Sequence, residues 1–182
     1  MTKENVTKYV LLGFLSHEPL TGYEIKKRTE SSIGYFWNLG NGQIYPMLKR
    51  LTREGLVVMK RQESASGPNS KAYRITEMGR AELKKWLVTP VEPESLRSPL
   101  LLKLFFGAGA PDGVARENIQ GALERWRSDL RTLEAFEENV RKYLEQSLDH
   151  RYYLLTILSG ERYFRANIEW AQEALKVLDE GR

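Results

Sequence analysis

Val6, Val10, Leu11, Phe14 and Leu15 recur at the three- and four-residue spacing of one helical face, predicting a first amphipathic helix that ends near Ser16-His17-Glu18-Pro19. A second start signal follows at once. Thr21 with Glu24 three residues on forms a capping box, and Leu20 before it can pack on Ile25 as a hydrophobic staple. This second helix is short and is expected to end around Thr29. Gly34 and Gly40-Asn41-Gly42 then mark a turn. A third helix carries Ile44, Leu48 and Leu51 on its inner face and stops at Gly55. Pro46 sits early in it, where lost backbone donors matter least, and a slight bend of the first turn is expected. Residues 56–63 and 71–76 read as two strands around the turn cluster at 64–70, after which Thr76 caps a helix over Glu77 to Leu87.

The outer face of the third helix carries Gln43, Tyr45, Lys49, Arg50 and Arg53. Amide, phenol and cations on one face suit a helix that meets base edges and phosphates while its inner stripe packs on a domain. Helix, glycine stop and strand pair together have the order of a winged helix-turn-helix, so a DNA-binding regulator is expected. Lys60, Arg61 and Lys71 on the strands are candidate phosphate contacts, and Tyr23 at the start of the second helix is a candidate backbone clamp.

Pro90-Val91-Glu92-Pro93-Glu94 is stiff and polar and makes the best boundary. The expected organisation is a DNA-binding domain over 1–89, a linker over 90–95 and a helical dimerisation domain over 96–182. A short helix with Leu100, Leu101, Leu104 and Phe105 comes first in the second domain. The glycine-rich run at 107–113 is out of register for a nucleotide loop and follows a helical pattern, so it reads as a helix–helix turn. Two long helices follow. Ile119, Leu123, Trp126, Leu130, Leu133, Val140 and Leu144 mark one seam, interrupted at Glu137. Leu154, Ile157, Phe164, Ile168, Ala171, Leu175 and Leu178 mark the other, interrupted at Glu161. Spacing that averages about 3.5 residues is that of helices packed in coiled-coil fashion. With so little chain around them, the stripe from Phe164 to Leu178 has no evident intrachain cover, and a second subunit is the expected one.

Composition narrows the function. Of 182 residues, 41% are hydrophobic and 29% charged, as in a globular protein, and there is no cysteine. Disulfides, thiolate catalysis and zinc sites built on Cys are excluded, and two histidines are too few for a catalytic or metal cluster unless carboxylates contribute. No enzyme chemistry and no cofactor are expected. The apolar run from Tyr9 to Leu15 is not a signal peptide, and no stretch approaches the ~18 apolar residues of a spanning helix. A cytoplasmic protein with no membrane partner is expected. Charge is uneven: residues 1–90 hold 15 Lys and Arg against eight Glu, net +7, and residues 91–182 hold 13 against 16 acids, net −3. A basic half joined to an acidic half suits a polyanion-binding module carried by one that is not.

Three blocks carry a family resemblance: Pro19-Leu20-Thr21-Gly22-Tyr23-Glu24-Ile25, Gly42-Gln43-Ile44-Tyr45-Pro46-Met47-Leu48-Lys49-Arg50-Leu51 and Lys71-Ala72-Tyr73-Arg74-Ile75-Thr76-Glu77-Met78-Gly79. In this order and spacing the chain resembles the PadR family of bacterial transcriptional regulators. The segments at 100–107 and 161–170 resemble the C-terminal part of its longer members. The resemblance implies a mainly α fold with a small β-hairpin wing, a C-terminal helical domain that forms a homodimer, and repression of an operator relieved by a small molecule. Wings in this family often carry an Arg near the tip, whereas residues 66–70 here are uncharged, so deep minor-groove insertion is not expected.

Several residues admit two readings. Tyr45 can meet a phosphate or base edge, or pack on the second helix, and DNA contact is favoured because Ile44 already supplies the inward side chain. Gln43 can read adenine through both amide atoms or simply be solvated. Tyr35, Phe36 and Trp37 can line a pocket for a small aromatic or apolar effector, or form a packing cluster, the latter favoured. For the whole chain the rival to operator binding is a winged-helix adaptor that contacts protein, which would have no need of the basic face from Gln43 to Arg53.

Overall fold

In the computed structural model, residues 3–62, 70–91, 93 and 96–180 are described, with side chains for 6–60, 71–91, 93 and 96–180. The chain divides into two compact units, Met1–Glu94 and Ser95–Arg182.

The first unit is built from α1 (Lys3–His17), β1 (Leu20–Thr21), α2 (Gly22–Ser32), α3 (Asn41–Arg53), β2 (Val57–Gln62), β3 (Ser70–Ile75) and α4 (Glu77–Leu87). The strands form an antiparallel sheet in the order β1-β3-β2, with Leu20 opposite Tyr73 and Val57 opposite Ile75. The strand pair lies within a residue of the runs read at 56–63 and 71–76, and α4 lies where the Thr76 cap predicts it. β1 is an addition. Two residues are too short for a period to register, and Thr21 had already been spent as a helix cap. The turn cluster at 64–70 lies outside the described residues except for Ser70, which opens β3.

One core fills this unit. Leu11, Leu12 and Leu15 of α1 meet Ile44, Leu48 and Leu51 of α3, with Ile25, Leu39, Val57 and Ile75 closing it. Side chains of this kind contribute about 1.5–3 kcal/mol each when taken out of water. The buried face of α1 is therefore Thr7, Leu11, Leu12 and Leu15, whereas Val6, Val10 and Phe14 are only partly covered. α2 runs three residues past Thr29, whose hydroxyl bonds back to the Ile25 carbonyl at 2.9 Å instead of ending the helix. α3 continues through Pro46 without a break. Gly55, at φ +72°, turns the chain from α3 into β2.

α1 is tied to α4 by a small polar brace. Lys8 Nζ lies 2.7 Å from Glu82 Oε1, the Tyr9 hydroxyl donates to the same oxygen at 3.2 Å, and the Tyr9 and Trp86 rings stack at 4.5 Å. The Lys8 bond holds the Glu82 carboxyl below its ordinary range; burial pulls the Lys8 ammonium down, but the Glu82 bond together with the attraction of Tyr9, Glu82 and Glu54 leaves it raised.

The second unit is helical: α5 (Pro99–Phe105), a 3₁₀ turn (Gly107–Gly109), α6 (Val114–Arg141) and α7 (Leu148–Glu180). The glycine-rich run is a connector, and Gly113 at φ +87° precedes α6. α6 and α7 form an antiparallel hairpin. Ile119 and Leu123 pack with Ala171, flanked by Leu104, Trp126, Ile168, Trp170 and Leu175, and the Trp126 and Trp170 rings meet edge-on at 6.1 Å. Leu144 falls beyond α6, in the turn. One expectation is corrected: Phe164 and Ala171 are buried within the chain, Ile168 and Leu175 pack on the α6 cluster, and the stripe has intrachain cover as far as Leu175, with Leu178 exposed. The apolar surface left bare lies elsewhere, at Tyr152, Leu155, Tyr163 and Val177 of α7 and at Leu102 and Phe105 of α5.

Candidate nucleic-acid interface

The site begins with a helix cap. The Thr21 hydroxyl accepts from the Glu24 amide at 3.2 Å, and the Thr21 amide donates to the Glu24 carboxylate at 2.7 Å. The Thr21 amide first, and the Thr21 side chain after it, hold the Glu24 carboxyl below its ordinary range. Because Thr21 also pairs with Ala72 in β1, the same residue ties the start of α2 to the sheet. Gly22 comes next and is buried. A methyl group there would stand 2.5 Å from the Tyr45 ring, so its absence lets α3 close on α2. The Tyr45 ring thus packs on the start of α2, and about half of it stays exposed. Tyr73 of β3 lies nearby. Burial pushes its phenol pKa up, the Tyr45 phenol adds to this, and the group is neutral.

Between α2, α3 and the sheet lies an open concavity of about 1210 Å³. Its wall includes Tyr23, Tyr45, Lys49, Arg53 and Lys71 of the sequence candidates. Thr21, Gly22, Lys27, Thr52, Met59 and Tyr73 complete it, with Glu24 as its one carboxylate among the described residues. Four cations therefore face an acid that already accepts from its own helix cap. This is the charge pattern of a surface that takes a phosphate backbone. Periodicity did not flag Lys27 or Thr52, although each is one or two turns from a candidate on the same helix face. Met59 and Tyr73 face each other across the strand pair, a match visible only once the register is known.

The remaining candidates lie off this wall. Arg50 is held by Glu54 at 2.7 Å, an i,i+4 ion pair that neutralises it. Gln43 is exposed, yet its side-chain oxygen accepts from the Gly40 amide at 3.3 Å and caps α3. Reading adenine through both amide atoms requires that cap to open. Lys60 alternates with Met59 along β2, which places it on the other side of the sheet from the concavity. Arg61 is opposite Lys71 in the ladder, and its side chain lies outside the described residues.

Tyr35, Phe36 and Trp37 follow α2 in a turn closed by the Phe36 and Trp37 amides on the Ile33 carbonyl, at 3.0 and 2.7 Å. The Tyr35 and Phe36 rings meet edge-on at 4.7 Å. Trp37 packs against the core, and its buried Nε1 has no acceptor among the described residues.

Among the described residues no group of His, Asp and Glu is placed to hold a metal ion, and no helix is long and apolar enough to cross a membrane.

Residues 11–85 match the model of the transcriptional regulator PadR-like family, and residues 96–179 match that of the virulence activator alpha C-terminal domain. The negative transcriptional regulator PadR of Bacillus subtilis is 29% identical over 180 residues, covering 96% of this chain and 98% of its own. A crystal structure of Bacillus subtilis PadR in complex with operator DNA superposes with a TM-score of 0.82 at 27% identity, over 95% of this chain and 97% of that one. The same protein in complex with p-coumaric acid superposes with a TM-score of 0.72 at 27% identity, over 98% of each chain.

Proposed function

We propose, for a chain that belongs to the PadR-like family of transcriptional regulators, that it is a dimeric repressor gripping operator DNA in the concavity between α2, α3 and the sheet. The observation that carries this reading is the convergence of Lys27, Lys49, Arg53 and Lys71 beside the phenols of Tyr23 and Tyr45. α3 enters the major groove, and the strand pair braces the flanking backbone. The winged domain spans 1–89, residues 90–95 link it, and the helices of 96–182 join two copies inside the cytoplasm. The relative named as a negative regulator favours repression.

Fluorescence anisotropy against salt tests the grip. With ~4 phosphate contacts per subunit the dimer neutralises ~8, and log K falls with log salt at a slope of about −7. Footprints show two half-sites about one helical turn, or a small multiple of it, apart. Affinity flat with salt, or a single asymmetric half-site, sinks the proposal and leaves the adaptor reading.

Relief by a small aromatic acid is the second part of the proposal, placed at Tyr35, Phe36 and Trp37. Its support is the buried Trp37 Nε1, a donor awaiting an acceptor, beside two aromatic faces, together with the p-coumaric acid bound by the Bacillus subtilis relative. Titration with p-coumaric acid quenches tryptophan emission and releases the operator, and Trp37→Phe weakens both. Release that is unchanged in Trp37→Phe places the effector elsewhere.

A further inference from the structure

Two acids interrupt the seams of the long helices, Glu137 on α6 and Glu161 on α7, and the fold brings them together. Glu161 is only 7% exposed, and its carboxyl meets that of Glu137 across the helix pair. No described donor reaches Glu161 Oε1, while its other oxygen is 3.8 Å from Arg165. Arg165 is turned away toward Glu134 Oε1, at 2.5 Å. Glu137 takes its own cation, Arg141, at 2.5 Å. The charged groups facing this layer are therefore Glu134, Glu137 and Arg141 from α6 and Glu161 and Arg165 from α7. Three acids meet two arginines.

Two carboxylates in contact cannot both ionise without a counter-charge. A buried oxygen that no donor approaches is satisfied if its own group carries the hydrogen and donates it. We propose that Glu161 is protonated in the folded chain and donates to the Glu137 carboxylate, so that one bound proton latches α6 to α7 and its loss at alkaline pH loosens this part of the hairpin. The latch is independent of operator binding.

The direction of titration agrees. Burial first, and then the Glu137 carboxyl, push Glu161 above the ordinary glutamate range. The hydrogen bond of Arg141 pulls Glu137 below it. Protons therefore leave the two acids as a coupled pair. The folded chain keeps a proton that the unfolded chain gives up. Stability from the latch is complete at low pH and declines as pH rises from the ordinary glutamate range through the raised value.

The test is thermal unfolding of the full chain between about pH 5 and about pH 8, with Glu161→Gln as the diagnostic variant. A glutamine amide donates to Glu137 at every pH. The parent loses stability with rising pH and Glu161→Gln does not, so its melting temperature overtakes the parent's by about 2–4 °C at the alkaline end. Glu138→Gln, on an exposed acid of α6 paired with Lys142, keeps the parent's slope. A parallel slope in Glu161→Gln overturns the proposal. If that variant fails to fold, the carbon-13 carboxyl titration of the unmodified chain decides: a Glu161 signal that moves above the ordinary range supports the latch, and one within it refutes the latch.

Discussion

Lys49, Lys60 and Lys71 have the same chemistry, yet only Lys49 and Lys71 face the concavity. Lys49→Ala and Lys71→Ala should each weaken binding to specific and scrambled duplexes alike and lower the salt slope by about one. Lys60→Ala should change neither. Anisotropy at two salt concentrations separates them, and a Lys60 effect equal to that of Lys71 places the DNA path across the other side of the sheet. Gln43 calls for a different substitution, because alanine removes the helix cap together with any base contact. A glutamate side chain in its place would keep an oxygen acceptor for the Gly40 amide. Gln43→Glu should therefore leave the melting temperature of the chain in place while discrimination at one base pair per half-site falls by about 1–3 kcal/mol. Equal affinity of Gln43→Glu and parent for the operator removes Gln43 from the reading surface.

The elements were legible wherever a single period or cap decided them. Thr21 with Glu24, Thr76 and the Ile44-Leu48-Leu51 stripe each place a helix in the sequence and again in the structure. What escaped depends on partners distant in the chain. Leu12 is buried because α1 is enclosed by α3, α4 and β3, which widens its apolar face beyond what periodicity marks. Lys60 reads as well as Lys71 in one dimension; only the register and the wall of the concavity separate them. Glycines show the same limit. Gly79 looks unremarkable inside a helical run, but a methyl group there would stand 2.2 Å from the Leu56 carbonyl oxygen, a backbone atom with nowhere to go. Gly79→Ala should cost about 2–4 kcal/mol in urea unfolding. Gly13→Ala, in α1 with nothing within 4 Å, should be neutral or gain up to about 1 kcal/mol. Similar costs at the two positions argue against this packing of α4 on the sheet.

For the molecule as a whole, the bare apolar positions are where the proposed second copy would dock. The stripe from Phe164 to Leu175 is spent inside the α6–α7 hairpin, so truncation there disrupts folding and association together and distinguishes nothing. Leu155 is the better probe, being 62% exposed on α7. The parent should run as a dimer in light scattering at micromolar concentration. Leu155→Glu should be monomeric with an unchanged helical spectrum, because a carboxylate costs several kcal/mol to bury unpaired. A Leu155→Glu dimer moves the interface to another face. The likeness of the chain to PadR-like regulators was readable from three short blocks, whereas the direction of its bare surfaces was not, since an amphipathic pattern marks that a face is buried without saying by which neighbour.

Thr21 serves at once as a rung of the sheet and as the cap of α2, while Gly22 admits the Tyr45 ring of α3. Strand β1, α2 and α3 thus share a two-residue joint, and none can swing without dragging the others. Such a head has few internal degrees of freedom for a signal to exploit. An effector that controls it has to act as a hand acts on a key, by turning it or withholding it, and not by recutting its teeth.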